Sequence, residues 1–152
     1  MLYSIIKRLL ILMFVITATD AVATDQSFSV TMKLGTPISI TKLRDLIFPD
    51  TAFIGAQDLI IASTAVNSAS FTVTGRKNKH LVVSIVPVTV AMSAPGVTGT
   101  ITVDTFTINP GPPHKFNVSG NAAFTVGATA HILATSEDGD YTGTAAIRVV
   151  YQ

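Results

Sequence analysis

A chain of 152 residues, 48% hydrophobic and 12% charged, is ordinary globular material with length for one well-filled core and little prospect of a second domain. Its ten Lys and Arg against nine Asp and Glu are scattered, apart from the turn-like stretch GRKNKH at Gly75 to His80, so a phosphate-binding stripe, and nucleic acid as a partner, is not indicated. Cysteine is absent, which removes disulfides and thiol chemistry and leaves packing or association to supply stability.

The first element has the pattern of a leader. Lys7 and Arg8 precede the apolar run Leu9 to Ala18, and Ala21-Val22-Ala23 follows as a small-x-small cleavage pattern, so residues 1–23 are expected to be a signal peptide cut after Ala23. The alternative is a membrane anchor, but an apolar run of ten residues is well short of the roughly 20 that a spanning helix needs. Cleavage would remove two of the ten cations and one of the nine anions, leaving a formally neutral chain.

Beyond it, apolar and polar residues alternate with a period close to two and nowhere convincingly 3.6, and Thr, Val and Ile dominate. Strands are predicted at Ser27 to Leu34, Pro37 to Lys42, Asp45 to Phe48, Leu59 to Ser63, Ala69 to Thr74 and His80 to Val86. They continue at Val88 to Met92, Thr98 to Ile108, Lys115 to Val118, Ala122 to Val126, Ala130 to Ala134 and Tyr141 to Tyr151. The segments between them, LGTP, FPD, SAPG, NPGPP, VSGN and EDGD among them, are rich in the residues that favour turns. Short strands at this spacing predict an all-β, immunoglobulin-like antiparallel β-sandwich. GPPHKF reads as a loop between strands rather than a polyproline ligand.

The two ends of this array show the clearest patterning. Phe28, Val30, Met32 and Leu34 alternate with Ser27, Ser29, Thr31 and Lys33, shortly after the expected cleavage point. In the last strand Ala145, Ile147, Val149 and Tyr151 share one face, and Ala146, Arg148, Val150 and Gln152 the other.

The C-terminal stretch GDYTGTAAIRVVYQ resembles the assembly signature of bacterial chaperone-usher fimbrial subunits: a penultimate tyrosine, apolar residues at alternate positions before it, and a glycine fourteen places from the end. Counting back from Gln152, Tyr151 is second, Val149 fourth, Ile147 sixth, Ala145 eighth and Gly139 fourteenth. The stretches FTINP, AAFTVGAT and YTGTAAIRVVYQ also resemble a family of small exported bacterial β-domains without an assigned function.

The fimbrial resemblance implies a sandwich that is incomplete and is completed by donor-strand exchange. Residues 24–35 would be the donor extension, with Phe28, Val30, Met32 and Leu34 as its plugs, and residues 36–152 the pilin domain. Gly139, Ala145, Ile147, Val149 and Tyr151 would mark the strand that edges the groove and pairs with the chaperone. The implied partners are copies of the chain or related pilins, a periplasmic chaperone and an outer-membrane usher. The implied location is the periplasm in transit, then a cell-surface fimbria serving adhesion or biofilm. Two features depart from the family pattern: the missing cysteines, and four large plugs where a donor strand tends to carry one small residue.

Two other readings stay open on the residues alone. A small outer-membrane β-barrel also ends on an alternating strand, although Gln152 rather than an aromatic is the last residue and tyrosines are few for two girdles. A monomeric secreted β-sandwich binding module would use both terminal strands within its own core.

Catalysis finds little support. His80, His114 and His131 lack metal-ligand spacing, no G-x-S-x-G elbow occurs, and Glu137, Asp138 and Asp140 have the look of a solvated turn. Asn117 begins an NVS sequon, a pattern common by chance. No enzyme activity, metal or cofactor is expected.

Overall fold

The computed structural model describes residues 26–32, 34–51 and 55–152. The leader therefore lies outside the described residues, as does Lys33. The chain divides between Lys33 and Leu34 into two units, and the second, Leu34–Gln152, holds every strand described below.

The described residues form nine strands, in chain order β1 (Ser39–Arg44), β2 (Gln57–Ile61), β3 (Ala69–Thr74), β4 (His80–Val86), β5 (Val90–Ser93), β6 (Thr100–Asn109), β7 (His114–Lys115), β8 (Asn121–Ile132) and β9 (Ala146–Tyr151). No helix occurs among the described residues. Every pairing is antiparallel, and the strands form two sheets: β1-β3-β8-β6-β5, with β2 also on β8, and β7-β4-β9. The fold is an all-β antiparallel sandwich, as the period-two patterning predicts.

The layers are joined by side chains from both sheets. Val73, Phe124, Leu81, Phe116 and Val149 form one buried cluster, with Val73 at 0% and Phe116 at 1% exposure. Ala69, Val126 and Ile85 form a second, and Val90, Ile101, Val103, Ala128 and Ala130 a third. A closed barrel would be one sheet without edges. Two sheets packed face to face answer that reading differently.

The central strand is β8, where sequence patterning predicts two short strands separated by Gly127. The structure runs straight through, because glycine here answers a close approach rather than a turn: a Cβ at Gly127 would collide with the Ile61 carbonyl and the Ser63 amide. That approach lets β2 and β3 lie one after the other along the same side of β8.

Three other expectations change. Asp45 to Phe48 is not a strand, because Ile47 donates its amide to the Asn67 carbonyl at 3.0 Å and receives the Asn67 side-chain amide on its own carbonyl at 2.8 Å. β9 begins at Ala146 rather than Tyr141, since Thr142 and Ser93 exchange backbone hydrogen bonds of 2.9 and 3.0 Å, holding the chain against β5 before it crosses to the other sheet. The described residues of Ser27 to Leu34 form no strand, and Phe28, Val30, Met32 and Leu34 are each at least 80% exposed.

Candidate functional site: an open groove between two strand edges

β1 ends the six-stranded sheet and β9 ends the three-stranded one. Each is paired on one side only among the described residues, by β3 and by β4 respectively. An unpaired edge leaves a row of backbone donors and acceptors open to another strand.

Between these edges lies an apolar groove of about 710 Å³. One wall is β1, through Ile40 and Lys42, continued by Asp45 to Phe48; the other is the chain from Tyr141 to Ile147. Its floor includes Ala69, Phe71, Phe106 and Val126 from one sheet and Ile85 from the other. Packed interiors leave few voids larger than a water molecule, which occupies about 30 Å³, so this opening is far beyond ordinary packing imperfection.

The rim carries a Lys42–Asp45 ion pair of 2.7 Å. Its charges offset one another, and the groove offers little to a highly charged ligand. What it offers is apolar surface flanked by backbone hydrogen-bonding groups.

The C-terminal pattern falls on this geometry unevenly. Ile147 and Ala145 line the groove. Ala146 also borders it, Val149 is buried outside the lining against Val73, Leu81, Phe116 and Phe124, and Arg148 and Val150 are exposed. Gly139 lies outside the lining, where a Cβ would meet Ala94 Cβ at 3.0 Å and Val97 Cγ2 at 3.1 Å.

Tyr151 also lies outside the lining and ties the two walls together. Its hydroxyl donates to the Thr36 carbonyl at 2.7 Å, just ahead of β1, and accepts from the Arg76 amide at 2.8 Å. Its ring packs against Phe116 with centroids 6.0 Å apart. Gly75 makes room for this cluster, since a Cβ there would come within 2.7 Å of the Tyr151 hydroxyl. Replacing Tyr151 with Phe should keep the ring packing but strip both hydrogen bonds, lowering stability by about 1 to 3 kcal/mol in urea denaturation.

Several groove residues carry no signal in the sequence. Ile40, Phe71, Phe106 and Ile85 resemble any inward-facing strand residue, and only the missing neighbour between β1 and β9 makes them a site. Asn117 is engaged in its turn: its Oδ1 accepts from the Ser119 and Asn121 amides, each at 2.9 Å.

A family model described as a domain of unknown function (DUF4402) matches residues 46–151, well over half of the chain. The match takes in β2 to β9, including the groove wall that ends in β9. No curated protein and no solved structure matches the chain.

Proposed function

We propose that this chain, which belongs to the DUF4402 family of domains of unknown function, is a structural subunit that polymerises by accepting a strand from another subunit into its groove. The observation that carries the reading is the 710 Å³ apolar groove between the free edges of β1 and β9. An extended segment placed there would gain main-chain hydrogen bonds from the edges and side-chain burial from the floor, the two components of recognition by strand addition.

The donor in this reading is the segment bearing Phe28, Val30, Met32 and Leu34. From Phe28 to Leu34 is six residue steps, about 20 Å at roughly 3.3 Å per residue when extended. Burying four such side chains contributes about 6 to 12 kcal/mol before the cost of ordering the segment is subtracted.

Chaperone-assisted folding in the periplasm, passage through an outer-membrane usher and display as a surface fimbria belong to the same proposal. They are supported by the leader-like residues 1–23 and by the alternation from Ala145 to Tyr151. The direct test is electrophoresis of surface material without boiling. A ladder of multimers that collapses to one band on boiling is expected; a single monomer band in both samples would leave a monomeric β-sandwich module as the better reading.

A further inference from the structure

On the six-stranded sheet, three adjacent strands each supply one titratable side chain to a single contact. His131 of β8 places Nδ1 2.7 Å from Asp58 Oδ1 on β2 and Nε2 2.9 Å from Asp104 Oδ1 on β6. Neutral imidazole carries one N–H, so it can donate to only one carboxylate and must turn a lone pair toward the other. Only the imidazolium donates to both. Among the described residues these two carboxylates are the charged groups in ion-pair contact with the ring.

The backbone is shaped around the same contact. The β6–β8 register shifts between Asp104 and Thr107, and Thr105 within that bulge has φ +50°, a conformation that a β-branched residue rarely adopts. Its hydroxyl donates to Asp104 Oδ1 at 2.7 Å, fixing the carboxylate that meets His131. Strained backbone persists where the surroundings hold it, and here it sits beside the ion-paired carboxylate.

β2 is the strand with most to gain. Its ladder runs along β8 alone, and its two ends are held differently. The Ile61 end is buried and leads into a loop whose Ser68 carbonyl accepts from Arg44 Nε at 2.8 Å. The Gln57 end has the Asp58–His131 contact and the packing of Leu59.

We propose that Asp58, His131 and Asp104 form a proton-operated clasp that pins the Gln57 end of β2 to the sheet and releases it when the imidazole loses its proton. The hydrogen bonds to Asp104 and then Asp58 raise the His131 pKa above 6.5, and the bond from His131 lowers that of Asp104 below 3.8. A raised histidine pKa stabilises the closed form fully below 6.5 and loses that contribution as pH climbs through the folded-state value. The lowered Asp104 pKa stabilises above 3.8 and loses its contribution as pH falls through its own folded-state value. The clasp is thus shut at weakly acidic pH and opens on the alkaline side through His131.

The test pairs the NMR titration of the His131 ring with amide hydrogen exchange in the purified protein, corrected for base catalysis. The midpoint should lie above 6.5, and protection at Asp58 to Ile61 should fall across it by about tenfold for each unit of that elevation, while Ala69 to Thr74 on β3 hold theirs. Asp104→Asn should move the midpoint back toward 6.5 and shrink the fall in proportion. A midpoint at or below 6.5, an Asp104→Asn midpoint equal to that of the wild type, or β2 and β3 losing protection together would overturn the clasp.

Discussion

Val149→Asp should yield no folded domain, whereas Ile147→Asp, two residues earlier on the same face, should fold and fail to assemble. The difference follows from where β9 puts the two side chains. Val149 is 9% exposed and touches a cluster drawn from both sheets, so a carboxylate there would be buried without a partner, at a cost of several kcal/mol. That is a large part of the stability a small domain possesses.

Ile147 packs partly against the core but borders the open groove, where a carboxylate can reach water as long as the groove is empty. Once a strand fills the groove, the same carboxylate is trapped against apolar side chains. Circular dichroism and thermal melting should therefore separate Val149→Asp from the wild type, and polymer yield should separate Ile147→Asp. A folded, wild-type-stable Val149→Asp protein would contradict the assigned facing of β9.

The facing itself was legible from residues alone. Apolar residues at every second position from Ala145 to Tyr151 announce a strand with one buried face, and Ile147, Val149 and Tyr151 do turn away from solvent. β3 and β4 were readable to the residue, because each is a compact run of β-branched and aromatic residues closed by turn residues. Gly127 misled, since a glycine in a strand signals either a break or a close backbone approach, and only the position of β2 tells which.

Long-range features were out of reach for a related reason. The groove depends on which strands are not neighbours, and alternation says nothing about sheet order. Asp58, Asp104 and His131 are far apart in the chain, and their meeting depends on the register of β8 with β2 and β6 and on a bulge after Asp104. Tyr151 was marked by its pattern, but its bond to Thr36 follows from β1 and β9 lying at the same end of the two layers.

The claim that the groove accepts an apolar strand is tested most directly by supplying the strand as a peptide. A chain lacking Thr24 to Leu34 retains the residues of all nine described strands and of both groove walls. A peptide spanning Thr24 to Thr36 should raise its melting temperature in a concentration-dependent way, because a ligand that binds only the folded state stabilises it by mass action. Changing Met32 to Asp in the peptide should abolish most of that rise, since the side chain would enter the apolar floor. Changing Thr31 to Asp, on the opposite face of the same peptide, should leave it nearly intact. A melting temperature that ignores the wild-type peptide, or that responds equally to both variants, would contradict strand acceptance by the groove.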